Sequence, residues 1–457
     1  MKNNIIIAQA TAKGPAPLAI IRLSGSNIRE LLDRTILLKS KKKIVEVLTH
    51  TVHYGLLYDI DGKTIDQIIV MIMDGPRSFT GEDTVEITCH NNQFIINKII
   101  DRCVFLGANI AKPGEFSQRA VHNKKIDIFQ AEAINELLHA ENELMTEVAL
   151  SQIEGSLSFQ INTIDEELST ISAWCQASFE FLDEERDFRL IILEKLESVI
   201  IIIEKLLKMH SSVKFLKEGV RIAIIGSVNV GKSSLFNALL GYNRAIVNQI
   251  AGTTRDTIEA TVYVNNYNMT LIDTAGIRMT HDAIEQEGIS KSYYEAESAD
   301  ILLLVYSEEI INNKEIYSFY ENMINKYFTK SIIIKNKIDQ NNNNNNNNNS
   351  IFKNELLLST KEKIGIDGIL KTINAWVEAK YNNREISYII NARHVDNLII
   401  IQNELNIIKE LLSNKNPFYE IILYNLLQAQ KTISHLSGKS IEEKSLDRVF
   451  KEFCVGK

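Results

Sequence analysis

The segment 226–234 has the residue types and spacing of a phosphate-binding loop, in the order G-x-x-x-x-G-K-S. The apolar run 222–225 before it predicts a strand, and 235–240 after it predicts a helix. In that context the backbone N–H groups of the loop turn toward phosphate oxygens. Lys232 would reach the β- and γ-phosphates, and Ser233 would bind Mg²⁺. We expect the nucleotide to contact Asn229, Val230, Gly231, Lys232, Ser233 and Ser234.

Three further segments indicate that the nucleotide is GTP. Asp273-Thr274-Ala275-Gly276 follows an apolar run, so that Asp273 would reach Mg²⁺ through water. Asn336-Lys337-Ile338-Asp339 also follows an apolar run, and the carboxylate of Asp339 could accept two hydrogen bonds from guanine. Ser359-Thr360-Lys361 would close the base pocket. Because these segments occur in the expected order, each at the end of a predicted strand, we predict a GTP-binding domain.

Length and composition are typical of a multidomain globular protein. The 457 residues are too many for one compact core, and 45% of them are hydrophobic and 24% charged. The net charge of −8 argues against binding nucleic acid by bulk electrostatics, so an RNA partner would need a local basic patch or a second protein. The four cysteines lack the spacing of a zinc site, and no signal peptide or membrane span is indicated. We expect a cytoplasmic protein that does not enter the membrane.

The hydrophobic pattern divides the chain into four parts. Residues 1–118 predict a mixed α/β domain, and 119–214 predict helices with apolar residues at helical spacing. The GTPase region takes 215–379, and helices resume over 380–457. The predicted fold is therefore an α/β P-loop GTPase domain inserted into an α-helical domain, preceded by an N-terminal mixed α/β domain.

Motifs in every part of the chain resemble the MnmE (TrmE) family of GTPases, which modify the wobble uridine of certain tRNAs. Besides the nucleotide-binding segments, these are Ile250-Ala251-Gly252-Thr253-Thr254-Arg255-Asp256, Arg22-Leu23-Ser24-Gly25, Arg77-Ser78-Phe79-Thr80-Gly81-Glu82-Asp83, Lys112-Pro113-Gly114-Glu115-Phe116 and Phe453-Cys454-Val455-Gly456-Lys457. One departure is His90-Asn91-Asn92, where family members usually have His-Gly-Gly. Asparagine tolerates the left-handed conformation, so this turn is expected to survive.

The resemblance implies that the N-terminal domain forms a homodimer and binds a one-carbon folate. The folate would be 5-formyl- or 5,10-methylene-tetrahydrofolate, and the implied ligands are Arg22, Glu82, Lys125 and Lys457. Cations would suit the glutamate tail of such a folate, and a carboxylate would suit its pterin ring.

The resemblance also implies how GTP is hydrolysed. Ile277 follows the Asp273 segment where many GTPases have a water-orienting glutamine, so Glu285 is implied to position the water. A K⁺ ion would replace an arginine finger, with ligands from Asn229, Asn248, Ile250 and Thr253. Thr254 would complete the Mg²⁺ ligands with Ser233. The nucleotide-contacting residues of this segment would be Asn248, Gln249, Ile250, Ala251, Gly252, Thr253 and Thr254.

The function implied by the resemblance is K⁺-activated GTP hydrolysis coupled to tRNA modification. A flavin-dependent partner of the MnmG (GidA) type would form a heterotetramer with the homodimer, and tRNA would be the substrate. Cys454 is expected to act in the modification step, although a lone cysteine is more often a small buried hydrophobic residue. The alternative is an RNA-binding GTPase switch in ribosome assembly, without modification chemistry.

Overall fold

The computed structural model describes most of the chain in two units. The described residues are 4–140, 142–180, 188–242, 258–264, 267–273, 293–308, 314–340, 351–380, 386–414, 417–440, 449–450, 453 and 456. The first unit comprises residues 1–139, 149–207 and 391–457, and the second comprises 140–148 and 208–390. Since the first unit resumes after residue 390, the second unit is an insertion, as the sequence predicts. The boundaries of the four predicted parts stay predictions.

The first unit begins with a seven-stranded sheet, in the order β3-β4-β5-β6-β2-β1-β7. Its strands are β1 (Ile6–Gln9), β2 (Leu18–Ser24), β3 (Ile36–Leu38), β4 (Thr51–Tyr58), β5 (Thr64–Met73), β6 (Thr84–His90) and β7 (Asn109–Ile110). Neighbouring strands are antiparallel, except for the parallel pair β1–β7. Buried and exposed residues alternate from Asp66 to Ile72 of β5, so one face of the sheet lies on the core. Helices α1 (Ile28–Leu32) and α2 (Gln93–Phe105) contribute to that core.

Five helices follow the sheet. They are α3 (Glu115–His122), α4 (Ile128–Leu138), α5 (Glu143–Ile153), α6 (Ser156–Glu180) and α7 (Phe188–Glu218). The side chain of Asp127 accepts a hydrogen bond from the N–H of Gln130, whose side chain accepts one from the N–H of Asp127, and this reciprocal cap fixes the start of α4. The predicted apolar stripe at Ile161, Ile164 and Leu168 of α6 is buried, which confirms the helical prediction there.

The second unit contains a six-stranded sheet, in the order β13-β12-β11-β8-β10-β9. Its strands are β8 (Val220–Ile225), β9 (Ile258–Val264), β10 (Tyr267–Asp273), β11 (Ile301–Tyr306), β12 (Ser331–Lys335) and β13 (Leu356–Leu357). All pairings are parallel except that of β9 with β10. The parallel strands therefore end at one edge of the sheet, where ligands bind in open α/β folds. Its helices include α8 (Lys232–Tyr242), α9 (Lys314–Lys326) and α10 (Ile366–Lys380).

The first unit resumes with α11 (Ala392–Leu412) and α12 (Tyr419–Leu436). Asn391 caps α11 by accepting a hydrogen bond from the N–H of His394. Helix α12 packs against both α11 and α6, so segments from either side of the insertion share one core. Within the described part of the chain, no helix is both long enough and apolar enough to cross a membrane.

A buried group, here called the Glu132 network, joins α4 to the start of α11. Oε1 of Glu132 accepts hydrogen bonds from Nε of Arg393 at 2.9 Å and from Nδ2 of Asn391 at 3.2 Å. Oε2 accepts from Nη2 of Arg393 at 2.9 Å and lies 2.7 Å from Nε2 of His394. Burial by itself raises the pKa of Glu132, but His394 and Arg393 together lower it well below its ordinary value of 4.5. Glu132 is therefore an ionised carboxylate in the core.

Candidate functional site

The predicted phosphate loop, residues 226–231, lies between the end of β8 and the start of α8. Asn229 has a φ of 61°, a left-handed conformation that asparagine adopts more readily than most residues. Gly226 passes so close to β11 that a Cβ at this position would lie 2.2 Å from the carbonyl oxygen of Val305. A glycine is required there because that distance is shorter than any real contact of a Cβ atom.

The ammonium group of Lys232 and the N-terminus of α8 both lie at this loop. Nζ of Lys232 donates hydrogen bonds to the carbonyl oxygens of Gly226 at 2.7 Å and Ser227 at 2.8 Å. Ser233 and Ser234 are exposed in the first turn of α8, whereas Val230 is buried and anchors the loop. The partial positive charge of a helix N-terminus adds to that of the ammonium group. The arrangement is suited to binding an anion such as a di- or triphosphate.

Asn336 connects the phosphate loop to the segment predicted to bind the base. Its side chain is 2% exposed, with Nδ2 donating to the carbonyl oxygen of Val230 at 2.8 Å. Oδ1 accepts from the backbone N–H of Thr360 at 3.3 Å. The structure therefore brings three of the predicted segments together, although the first and the last are more than a hundred residues apart in sequence.

Asp339 lies beside the same segment, with its carboxylate partly exposed. Oδ1 accepts a hydrogen bond from the buried hydroxyl of Ser359 at 2.6 Å. This bond lowers the pKa of Asp339, and the positive charges of Lys361 and Lys337 lower it further. An ionised carboxylate can only accept hydrogen bonds, which is what the N1–H and 2-amino group of guanine require. Selection of guanine by Asp339 stays a prediction.

The predicted switch segment and the water-positioning residue lie outside the described residues. These are Asn248, Gln249, Ile250, Ala251, Gly252, Thr253, Thr254, Thr274, Ala275, Gly276 and Glu285, and the asparagine run Asn341–Asn349 lies outside them as well. The backbone of Asp273 is described at the end of β10, in register with Ile224 of β8. That places Asp273 at the strand end the sequence predicts, next to the strand that leads into the phosphate loop.

A second group of charged residues, here called the Arg22 cluster, comprises Arg22, Glu82, Glu86 and Arg119 in the first unit. Nε of Arg22 donates to Oε1 of Glu86 at 2.8 Å, and Nη2 lies 2.7 Å from the same oxygen. Nη1 of Arg22 donates to the carbonyl oxygen of Gly456 at 3.2 Å, and its guanidinium carbon lies 5.8 Å from the centre of the Phe116 ring. Arg22 is therefore already paired with the carboxylate of Glu86. A folate ligand would have to share the guanidinium group of Arg22 with Glu86.

Glu82 is held in the same cluster by two donors. Its Oε2 accepts from the hydroxyl of Ser24 at 2.8 Å and from Nη1 of Arg119 at 2.9 Å. Arg119 is almost completely buried and also pairs with Glu115 through Nη2 at 3.1 Å. The sequence analysis missed Arg119, although its position four residues after Glu115 on one helix was a usable signal of an ion pair.

Lys125 is exposed next to the loop that carries Glu82. A Cβ on Gly81 would lie 3.1 Å from Cγ of Lys125, so the two residues are neighbours. The C-terminal motif reaches the same domain through Gly456, which has a φ of 95° and lies against the backbone of Gln9 and Ala10. Cys454 and Lys457 lie outside the described residues.

Two family models match the chain in succession. The model described as the N-terminus of the GTP-binding protein TrmE matches residues 5–125, and the MnmE helical domain model matches residues 128–454. The second match alone spans more than half of the sequence. The chain belongs to the MnmE family of tRNA modification GTPases.

Curated MnmE relatives resemble the chain over their full length. The proteins named tRNA modification GTPase MnmE from Lachnoclostridium phytofermentans and Aquifex aeolicus are 34% and 36% identical to it. The first match covers 100% of both chains, and the second covers 99% of both. The protein of the same name from Protochlamydia amoebophila is 37% identical, over 99% of this chain and 97% of its own. The similarity to proteins of this name therefore extends across the whole sequence.

Two solved structures resemble about a third of this MnmE-family chain. The G domain of the T. maritima FeoB iron transporter is 23% identical, covering 35% of this chain and 98% of its own, with a TM-score of 0.26. Era from Aquifex aeolicus is 25% identical, covering 34% of this chain and 56% of its own, with a TM-score of 0.28. These scores are low, and the assignment to the MnmE family rests on the sequence matches.

Proposed function

We propose that this MnmE-family GTP hydrolase is activated by K⁺ and acts with a flavin-dependent partner on the wobble uridine of certain tRNAs. The product would carry an aminomethyl- or carboxymethylaminomethyl-type group at C5 of uridine-34. The observation that carries the proposal is full-length similarity to proteins named tRNA modification GTPases. A second support is the phosphate loop and the base-binding segment, which Asn336 connects by hydrogen bonds.

For GTP hydrolysis, the arrangement of charge at the phosphate loop supports the proposal. Lys232 and the N-terminus of α8 supply positive charge where the β- and γ-phosphates would lie. The hydroxyl of Ser233 is an oxygen ligand of the kind that Mg²⁺ prefers, and Ser233 is exposed at the start of α8. Bound Mg²⁺ would neutralise the charge that develops on the transferred phosphoryl group.

For K⁺ activation, Asn229 is the described residue that fits. It is exposed in the phosphate loop and offers a side-chain oxygen, the donor type suited to a hard monovalent cation. The proposed remaining K⁺ ligands are Asn248, Ile250 and Thr253, with Thr254 on Mg²⁺ and Glu285 positioning the water. A K⁺ ion bound there would supply the positive charge that an arginine finger supplies in other GTPases.

For the folate, the Arg22 cluster supports binding of a ligand that has both acidic and hydrogen-bond-donating groups. Both described hydrogen bonds of the Glu82 carboxylate go to Oε2, and the residue is partly exposed. Lys125 is exposed nearby, and the docked Gly456 would bring Lys457 toward the same domain. We propose that Arg22, Glu82, Lys125 and Lys457 bind 5-formyl- or 5,10-methylene-tetrahydrofolate, in a homodimer that recruits an MnmG-type partner.

The deciding experiment is mass spectrometry of tRNA nucleosides from cells that lack the protein. We expect the C5-modified wobble uridine to disappear and to return when the wild-type gene is supplied. Lys232→Ala should fail to restore it because the phosphate contact is lost. Wobble uridines that are unchanged in the deletion strain would contradict the proposed modification.

A matched variant separates the folate from the nucleotide. Glu82→Gln should lower binding of 5-formyl-tetrahydrofolate and lower modification, while K⁺-stimulated GTP turnover persists. Normal folate binding in that variant would remove Glu82 from the proposed site and leave the GTPase assignment intact.

A further inference from the structure

The side chain of Tyr320, on α9, lies underneath the phosphate loop and contacts it directly. Its hydroxyl oxygen accepts a hydrogen bond from the backbone N–H of Ser227 at 2.8 Å. The same hydroxyl donates to the carbonyl oxygen of Val305 on β11 at 2.6 Å. The side chain is fully buried, so this contact is shielded from water. A single hydroxyl therefore connects the start of the loop to the neighbouring strand.

The backbone of the loop lies close to both partners of this connection. A Cβ on Gly226 would lie 2.2 Å from the oxygen of Val305 and 3.0 Å from the hydroxyl oxygen of Tyr320. The N–H of Ser227 points to the protein interior and not to the phosphate side. A buried N–H without an acceptor is strongly unfavourable, so some partner is required. Tyr320 supplies it.

The aromatic ring is held in position independently of the loop. The ring centres of Tyr306 and Phe319 lie 6.1 Å and 5.6 Å from that of Tyr320, both in edge-to-face arrangements. Phe352 lies 6.5 Å away on the same cluster. Burial raises the pKa of Tyr320, so its phenol stays protonated and can continue to donate to Val305.

Lys232 holds the other side of the same residue. Its ammonium group donates to the carbonyl oxygen of Ser227, while Tyr320 accepts from the N–H of Ser227. The ammonium group is also the one expected to contact the β- and γ-phosphates of a bound nucleotide. Because Tyr320 bonds to the N–H of Ser227 and Lys232 to its carbonyl oxygen, the contact with Tyr320 can persist when Lys232 moves to the phosphates.

We propose that Tyr320 is a positioning residue for nucleotide binding, which acts through the N–H of Ser227 to hold the phosphate loop in its binding conformation. The proposal rests on GTP binding at this loop and on no part of the tRNA chemistry. Because the loop contacts phosphates common to both nucleotides, Tyr320 should affect GDP and GTP to the same extent.

The test is Tyr320→Phe in the full-length chain, with Tyr306→Phe as the matched control. Each variant loses one hydroxyl from the same aromatic cluster, but that of Tyr306 bonds to Glu355 and not to the loop. Removing the acceptor of a buried N–H should weaken binding of fluorescent GDP and GTP analogues by roughly tenfold. The same change should appear in the KM for GTP, with kcat within about twofold of wild type.

The outcomes separate a positioning role from a merely structural one. Equal losses of thermal stability in both variants with unchanged KM for GTP would overturn the proposal. A wild-type protein that bound no GTP would contradict the GTPase assignment itself, whereas normal GTP binding by Tyr320→Phe would overturn only the role of Tyr320.

Amide hydrogen exchange provides a measurement that does not depend on how the variant folds. In the wild-type chain without nucleotide, the N–H of Ser227 should exchange much more slowly than that of Asn229, which is exposed in the loop. Fast exchange at Ser227 in that state would overturn the proposal.

Discussion

In the second unit, hydrogen bonds from uncharged side chains connect the phosphate loop to the residues around it. Asn336 bonds to Val230 and Thr360, and Tyr320 bonds to Ser227 and Val305. In the first unit, ion pairs join segments that are far apart in sequence. Glu132 pairs with Arg393, and Arg22 pairs with Glu86 while donating to Gly456.

This difference predicts which substitutions of polar side chains each unit tolerates. An uncharged hydrogen bond contributes about 1 kcal/mol net, whereas removing one member of a buried ion pair costs about 3–5 kcal/mol because the other charge is left buried. Loss of a polar group should therefore lower the stability of the first unit more. In the second unit, the larger effect should be on nucleotide binding.

The largest expected effect comes from Glu132→Gln. The carboxylate that pairs with Arg393 and bonds to His394 is removed, and we expect a loss of about 3–5 kcal/mol in the free energy of unfolding. Asp165→Asn is the matched control, because Asp165 of α6 pairs at 3.0 Å with Lys439, which follows α12, and this pair lies near the surface. That control should cost at most about 1 kcal/mol. Equal losses in the two variants, measured by urea unfolding, would remove the distinction between buried and exposed pairs.

The pH dependence of stability sharpens the same comparison. Because the pKa of Glu132 is lowered in the folded state, its contribution is complete above its ordinary value of 4.5 and is lost only as pH falls through the lowered value. The stability difference between wild type and Glu132→Gln should be present above about pH 5 and should shrink in stronger acid. A difference that does not shrink in stronger acid would show that Glu132 is not the group responsible.

Gly226→Ala should have the next largest effect. Its Cβ would meet the carbonyl oxygen of Val305 at 2.2 Å, so β8 and β11 must separate or the loop must move. We expect a loss of about 1–3 kcal/mol in stability, together with loss of measurable GTP binding. Gly241→Ala is the control, since a Cβ there has no neighbour within 4 Å, and it should be neutral or slightly stabilising. Normal GTP binding by Gly226→Ala would contradict the rigid loop described above.

Asp339→Asn should change which base is bound, with little effect on folding. Its remaining side-chain oxygen can still accept from Ser359, but the paired acceptor for guanine is lost. Discrimination should shift toward xanthine nucleotides by about 1–3 kcal/mol, measured by competition between XTP and GTP. Ser359→Ala is the control for orientation alone and should weaken both nucleotides alike. Unchanged preference for GTP in Asp339→Asn would show that the base is selected elsewhere.

The smallest change in structure is expected from Asn229→Gly. Glycine accepts the φ of 61° without strain, so the variant removes the side-chain oxygen and leaves the loop intact. Alanine at this position would add strain of its own. GTP turnover in KCl should fall to the rate in NaCl, while GTP affinity stays close to that of wild type. Stimulation by K⁺ that persists in this variant would exclude the proposed side-chain ligand.

The sequence was most informative where the chemistry lies within a few consecutive residues. The phosphate loop from Gly226 to Gly231 and the base-binding segment around Asp339 could be placed at strand ends because each follows an apolar run. The insertion of the GTPase region was predictable because the helical pattern stops before it and resumes after it. All three depend on short-range signals that are independent of the rest of the fold.

Pairings between distant segments could not be predicted. Nothing near Glu132 indicates that its cation comes from Arg393, and Tyr320 has the sequence pattern of an ordinary core residue on an amphipathic helix. The strands β3, β4 and β7 at or near the edges of the first sheet could not be predicted individually either, because their apolar runs lack a clear period of two. Such features depend on which segments the topology brings together.

The Glu132 network also has a consequence for the order in which the protein is assembled during translation. Glu132 and Arg393 are 261 positions apart, and the residues between them include all of the inserted unit. At about 5–20 residues per second, a ribosome takes roughly 13–50 s to reach the second residue after the first. Throughout that interval the nascent chain carries the carboxylate without its cation, so α4 has to stay hydrated. The inserted unit can therefore finish folding before α4 and α11, which lie on either side of it in sequence, pack together.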